Sequence, residues 1–322
     1  MRRFLIYILV LFFLTFGIAY TIEYAADMGL RKFKKGILNE WVAIHEGSVN
    51  ADILIVGSSR AYTGYNPTII SGMLNKKAYN LSVNGGGYNI QKMKFDLYSN
   101  ANKAPQFVVQ NIDLSHFMAS EKIFEEYQYL SYYSKDIIKK TFIEIDDKYA
   151  FYNTIPLIKY NTNKEYLKRS LRTLILGKVY NEPELIDGFC PKNKKFRLDS
   201  LNLQRFERLD TSYQGHKKFE LGYEHTVNFA SQLSDSSIKT IFVWAPEYEK
   251  RLKADKTLRT YFSKKIDSIA SLDPNIYFLD LSDTSISYDQ ENYYDSFHLT
   301  SKGADAFSSL LSTEIKKIVV NQ

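Results

Sequence analysis

Cysteine is nearly absent from this chain: among 322 residues, Cys190 stands alone. A lone cysteine excludes an internal disulfide and any Cys-based zinc site, while leaving the redox compartment open. It also lies too far from the N-terminus to serve as a lipoprotein anchor. The five histidines are equally sparse. His45, His116, His216 and His225 read as surface or core residues, and no pair has His-x-x-x-His or other chelating spacing. Neither a metal site nor a cofactor is therefore expected. Gly85-Gly86-Gly87 lacks a following Gly-Lys-Ser/Thr or a fuller dinucleotide fingerprint, so it is weak as a phosphate loop. Internal repeats and long low-complexity segments are missing as well.

A strongly basic face is lacking too, despite a formal net charge of +6. Residues 1–35 carry six basic and two acidic side chains, which leaves only +2 for the rest of the chain. That is no electrostatic footprint for nucleic acid. The basic excess belongs mainly to the flanks of one apolar run.

That run, Phe4 to Ile22, holds 19 uncharged residues. As a helix it spans about 28 Å, close to the roughly 30 Å of a bilayer's hydrocarbon core. A cleaved signal peptide usually has an apolar region of about 7–15 residues, and Ala25-Ala26-Asp27 makes a poor cleavage site. The run reads as an uncleaved single-pass anchor. Arg2 and Arg3 precede it, and Arg31, Lys32, Lys34 and Lys35 follow, so a literal count of basic residues puts the large domain inside. Long domains, however, translocate largely regardless of such charge. The second cluster also begins only after Glu23 and Asp27. The expectation is a cytoplasmic N-terminus with the domain outside, periplasmic or extracytoplasmic.

Beyond the anchor, 45% hydrophobic and 15% aromatic content are ample for a buried core. Phe33, Ile37, Leu38, Trp41 and Ile44 recur at helical spacing and predict a juxtamembrane helix from Leu30. Five apolar strands are expected at 51–56, 78–83, 106–112, 239–245 and 276–281. Helical patterns lie between most of them, at 67–75, 88–100, 216–234 and 248–271, with a last one at 302–319. Alternation of this kind predicts βαβ units and a parallel sheet covered on both faces. Right-handed crossovers then give a flavodoxin-like three-layer α/β/α sandwich, with sites beyond the carboxyl ends of the strands. The expected division is tail and anchor at 1–22, a juxtamembrane linker at 23–49, and an α/β domain at 50–322 with an insertion at about 117–215. Helical pieces are expected within the insertion near 118–140 and 163–176. Its Tyr127, Tyr129, Tyr132 and Tyr133 read chiefly as packing, with stacking on a sugar as the competing role.

Two short stretches carry chemistry. Gly57-Ser58-Ser59-Arg60 follows the apolar run Ile53–Val56, and Asp295-Ser296-Phe297-His298-Leu299 precedes the last helix. Serine is a weak nucleophile that needs a neighbouring base. Histidine serves near neutral pH, and a carboxylate on its other nitrogen fixes the tautomer. Ser59, His298 and Asp295 are thus the candidate nucleophile, base and orienter. Each motif alone is commonplace, a polar turn or a capping segment; together, on the expected strand ends, they point to one site. Arg60 beside the serine can bind an anionic group or form a structural ion pair. Trp244, ending the fourth strand, can line a pocket or fill the sheet core.

Val56-Gly57-Ser58-Ser59, the stretch Asn80–Gly85 and Asp295-Ser296-Phe297-His298 resemble the SGNH, or GDSL-type, hydrolase superfamily. The resemblance covers roughly 50–116 and 236–320. It implies Ser59 as nucleophile, with Ser58 in place of the family's usual aspartate. It also implies an oxyanion hole of the Ser59 and Gly85 backbone N–H groups, with Gly86 as the fallback, plus an asparagine side chain. At this third block the chain departs from the family's Gly-x-Asn-Asp and reads Gln110-Asn111-Ile112-Asp113. Either the strand end bends to present Asn111 or the third donor is missing. In motif style the chain is most similar to the membrane-anchored branch with the lipoteichoic-acid D-alanylation protein DltD and polysaccharide O-acyl-modifying proteins. The implied function is a serine esterase or O-acyltransferase on acyl esters of a cell-envelope glycan. The rival is an inactive SGNH-like envelope protein that binds glycan or a membrane acyltransferase partner.

Overall fold

The computed structural model describes residues 1–320, which fall into two compact units. One comprises Met1–His45 and Glu121–Glu184; the other comprises Glu46–Ser120 and the chain from Leu185 onward.

The second unit is built on a five-stranded, all-parallel sheet: β1 (Ile53–Val56), β2 (Ala78–Asn80), β3 (Phe107–Ile112), β4 (Lys239–Trp244) and β5 (Ile276–Asp280). Its order is β2-β1-β3-β4-β5, with Ile53 opposite both Ala78 and Phe107. This is the expected flavodoxin-like α/β arrangement, reversing direction beside β1. Strand residues alternate between the faces. Ile241 and Val243 join Tyr65, Ile70, Phe307, Leu311 and Ile315 in one core. Phe242 and Trp244 join Phe219, Leu258, Phe262 and Ile266 in the other. Phe307, Leu311 and Ile315 recur every four residues along the helix Ser301–Val320, which lays one apolar stripe on the sheet.

β2 is shorter than the expected 78–83. The backbone still tracks β1 beyond it, with Leu81 N–H donating to Ile55 O at 2.8 Å and Val83 N–H to Gly57 O at 2.9 Å. The expected helix 248–271 is two helices, Glu249–Ala254 and Lys256–Ala270. They part at Asp255, whose non-helical backbone accompanies a buried carboxylate held by Arg251 at 2.7 Å. The short helix Ser59–Gly64 follows β1 directly.

In the first unit, the helix Arg2–Leu30 is long and apolar enough to span a membrane. Its most apolar window has a mean hydropathy of 2.4 and is wholly unburied, unlike a core helix. The helix runs past Ile22, where its character changes: Glu23, Ala26, Gly29 and Leu30 are buried. Lys159, itself buried, bridges Asp27 at 2.7 Å and Glu23 at 3.2 Å. A turn separates this helix from Gly36–His45, so the expected juxtamembrane helix is divided between the two.

The expected 117–215 insertion is also divided. Residues 121–184 cluster with the N-terminal helices, while Leu185 onward belongs to the sheet unit. Aromatic packing explains the first association: Trp41 meets Tyr129 at 5.2 Å, and Tyr129 meets Phe142 at 5.3 Å. The expected helical piece 118–140 consists of two 3-10 turns, Glu126–Gln128 and Leu130–Tyr132, and the start of a helix at Asp136–Ile145. Glu125, at φ 49°, interrupts any continuous helix there. The second piece is the helix Lys164–Leu176. Tyr129, Tyr132 and Tyr133 are buried, and Tyr127 stacks on Tyr166 at 3.8 Å, so this cluster packs the unit.

Candidate active site

β1 ends at Val56, and the chain turns through Gly57 and Ser58 into the helix Ser59–Gly64. The turn is tight: a Cβ on Gly57 would stand 2.6 Å from the Ala61 Cβ and 2.9 Å from that of Asn111. Ser59 is the first helical residue, where a backbone N–H has no acceptor within the helix. Buried Asn80 anchors the other end of that helix, donating to Ala61 O at 2.7 Å and Tyr65 O at 3.1 Å.

The loop before the last helix brings the imidazole to this serine. His298 Nε2 lies 2.8 Å from Ser59 Oγ. On the other side of the ring, Nδ1 lies 2.8 Å from Asp295 Oδ2 and 3.0 Å from Oδ1. Asp295 Oδ1 also accepts the backbone N–H groups of Phe297 and His298, both at 2.8 Å. The three-residue spacing is thus an Asx-type turn in which one carboxylate orders the loop and grips the ring. Burial opposes the charge on Asp295, but the His298 hydrogen bond and charge, with the two backbone N–H groups, outweigh it. Its carboxyl is held below the usual range. Nδ1 then carries the proton, which leaves Nε2 to accept from the serine hydroxyl.

Gly85 is exposed in the turn after β2, at φ 67°, a conformation suited to glycine. Gly86 N–H donates back to Val83 O at 3.1 Å, closing that turn. Gly85, not Gly86, therefore remains the second-block candidate donor.

The other candidates lie in the interior. Asn111 is fully buried on β3, its Oδ1 accepting from Tyr65 OH at 2.8 Å and its Nδ2 donating to Asp113 at 3.2 Å. These partners give the amide a packing task and leave the third oxyanion donor unassigned. Arg60 is buried, paired with Glu247 and Asp113, and donates to Ala245 O at 3.2 Å and Pro246 O at 2.9 Å. Its environment corresponds to the structural ion pair and not to an open anion site. Burial opposes the Arg60 charge, yet Glu247 and Asp113 hold its pKa above the ordinary value. Trp244 is fully buried, and its indole N–H donates to Glu247 at 3.0 Å, which places it in the sheet core and away from any pocket surface.

Three residues gained importance only from the structure. Glu247 joins Arg60 to Trp244, Asn80 holds the Ser59 helix, and Tyr294 stacks on His298 with centroids 5.3 Å apart and planes 5° from parallel. Asn80 lies in a recognised motif and Tyr294 adjoins Asp295; nothing local signals Glu247. Of the remaining histidines, His45 stacks on Tyr132, His225 stacks on Tyr88, and His116 is buried between Gln91 and Thr226. The His216 side chain lies outside the described residues. Among the described residues, no group of three His, Cys, Asp or Glu has metal-binding geometry.

Fold and site together present a serine, an imidazole and a carboxylate hydrogen-bonded in series at the carboxyl edge of a parallel sheet. No protein-family model matches the chain, and comparison with curated proteins finds no match. Among solved structures, it is similar to one described provisionally as a platelet activating factor from Streptococcus pneumonia, at 10% identity and a TM-score of 0.45. That likeness covers 87% of this chain and 90% of the other. A protein described provisionally as an acylhydrolase, from Bacteroides fragilis, is similar at 11% identity and a TM-score of 0.37, covering 82% and 86%. An acetyl xylan esterase from the rumen bacterium Butyrivibrio proteoclasticus is similar at 11% identity and a TM-score of 0.35, covering 83% of this chain and 64% of the esterase. At such values no site residue is carried across to this chain.

Proposed function

We propose that this chain is a membrane-anchored, SGNH-like serine esterase or O-acyltransferase acting on acyl esters of a cell-envelope glycan. The observation that carries the reading is the 2.8 Å approach of His298 Nε2 to Ser59 Oγ, with Asp295 on the opposite ring nitrogen. Nothing local in the sequence brings together groups 239 residues apart.

In the proposed reaction Ser59 Oγ attacks the ester carbonyl while its proton passes to His298 Nε2. Asp295 remains ionised and stabilises the imidazolium. The tetrahedral oxyanion forms against the Ser59 and Gly85 backbone N–H groups, each such donor being worth about 3–4 kcal/mol in a transition state. Collapse breaks the ester C–O bond, and the leaving alkoxide takes the proton from His298. An acyl-Ser59 enzyme remains. In the second half His298 deprotonates water or a sugar hydroxyl, which attacks the acyl carbon; the acyl–Oγ bond then breaks, and Ser59 Oγ takes the proton back from His298. Water gives hydrolysis and a hydroxyl gives transfer, through the same residues. The envelope glycan and the DltD-like branch follow from the N-terminal span and the Gly-Ser-Ser variant, not from the site geometry.

The test is turnover of short acyl esters by the full-length protein in nonionic detergent, compared with Ser59→Ala. Loss of turnover, and of fluorophosphonate labelling, in the variant supports the reading. Equal inertness of both proteins favours the rival, a non-catalytic glycan- or acyltransferase-binding protein, which the commitment of Asn111 to Tyr65 and Asp113 would suit.

A further inference from the structure

Lys192, Lys194, Lys195 and Arg197 place four cations within six residues. Backbone hydrogen bonds lay this segment along the His298 loop. Ser301 N–H donates to Lys192 O at 2.8 Å, Arg197 N–H to Tyr294 O at 2.9 Å, and Asp199 N–H to Ser296 Oγ at 3.0 Å. Lys194 Nζ stands 5.7 Å from the centroid of the Tyr294 ring, the ring that stacks on His298. The same lysine lines an open groove of about 370 Å³ with Lys195, Phe196, Gln290, Glu291 and Tyr293.

The carboxylates nearby are engaged elsewhere. Asp289 and Glu291 share Lys302 at 3.3 and 2.5 Å, Asp295 holds His298, and Asp199 caps the helix Ser200–Asp210. Among the described residues no carboxylate forms an ion pair with any of the four cations, and Lys194, Lys195 and Arg197 are exposed. With no ion-pair partner, this row of like charge raises the local concentration of anions and disfavours cations, and Glu291, already paired with Lys302, is the one carboxylate lining the groove with it. Here the row is held beside the base of the candidate acyl site and opens onto a groove.

We propose that Lys192–Arg197 is a recognition strip for an acidic glycan, so that the substrate of the site is an acyl ester on a sugar chain bearing carboxylate or phosphate. The proposal rests on the ester-chemistry reading above and deepens it. The groove receives the sugar residues, and Lys194 links its lining to the Tyr294 ring that stacks on His298.

Binding is measured separately from turnover, with full-length Ser59→Ala protein in nonionic detergent. The probes are an acetylated oligogalacturonide, a phosphorylated oligomannose and a neutral acetylated xylo-oligosaccharide. At least one acidic probe should bind roughly tenfold or more tightly than the neutral one, with the preference shrinking as salt rises. Which acid binds distinguishes carboxylate from phosphate. The added substitutions Lys194→Gln, Lys195→Gln and Arg197→Gln should abolish the preference. A charge-matched control, Lys253→Gln with Lys256→Gln and Lys264→Gln, should retain it. Equal affinity for acidic and neutral probes, no binding of either acidic probe, or a preference unchanged in the strip variant would overturn the proposal. Turnover of a neutral short ester by the wild-type protein tests the ester chemistry independently, so the two failures are distinguishable.

Discussion

Asp295 holds His298 from two directions: its Oδ2 lies 2.8 Å from the ring Nδ1, and its Oδ1 accepts the His298 backbone N–H at 2.8 Å. Ring and main chain are therefore fixed by one side chain, which sets both the tautomer and the direction of Nε2. Asp295→Asn keeps the size but brings an N–H₂ that favours the opposite tautomer. Turnover of p-nitrophenyl acetate is expected to fall about 10³–10⁴-fold, as when the orienting carboxylate of a serine triad is neutralised. A variant within tenfold of wild type would remove Asp295 from the proposed mechanism.

Gly57 sets the position of Ser59, the proposed nucleophile. With Cβ contacts of 2.6 and 2.9 Å awaiting any side chain, Gly57→Ala must displace the start of the Ser59 helix or β3. Overpacking of this kind costs about 1–3 kcal/mol. Urea unfolding should show that loss, and turnover per folded molecule should fall at least roughly tenfold because sub-ångström geometry at the serine is lost. Unchanged turnover would show that the site tolerates the shift.

Glu247 is buried with the Arg60 guanidinium against it and Arg251 at 3.3 Å. Glu247→Ala leaves both cations short of a partner in the interior. Removing one member of a buried ion pair costs about 3–5 kcal/mol, so the midpoint of urea unfolding should drop accordingly. A loss below about 1 kcal/mol, the range of surface pairs, would mean that the network is far better hydrated than its burial indicates.

His116 makes stability depend on pH. Burial lowers its pKa from 6.5 to about 4, only partly opposed by Asp113. Between these values the unfolded chain binds a proton that the folded chain refuses. Stability is thus full above pH 6.5 and falls as pH drops toward about 4. A shift of this size corresponds to about 3 kcal/mol. His116→Gln should unfold at midpoints that vary less between pH 7.5 and 4.5 than those of wild type. His45, lowered to about 4 by burial and by Lys135 and Arg31, adds a similar dependence in both proteins. Parallel pH profiles for wild type and variant would refute the assignment to His116.

The orientation proposed for the chain places its N-terminus in the cytoplasm and the α/β unit outside. External protease should then digest that unit in intact spheroplasts. Digestion only after lysis would reverse the orientation.

The sheet was largely legible because strand and helix periodicities are local properties of a chain. Ile53–Val56, Phe107–Ile112 and Lys239–Trp244 announce themselves as apolar runs, and right-handed crossovers then restrict their order. Residue type and order likewise mark Ser59, Asp295 and His298 as candidate partners. The shortened β2, the break at Asp255 and the division of 117–215 were not legible, since each depends on contacts made by distant segments. Arg60, Asn111 and Trp244 illustrate the same limit. Their chemistry suits a ligand, but only a partner such as Glu247 or Tyr65 decides that they face inward.

By itself, then, the sequence determined the α/β alternation, the apolar N-terminal helix and the residue types of the candidate site. All three follow from periodicity, hydropathy and intrinsic reactivity. The tertiary structure alone decided that Nε2 of His298 meets Ser59, that Tyr294 covers the ring, and that the cations of 192–197 stand beside it. Those are relations in space between segments far apart in the chain, and packing creates them.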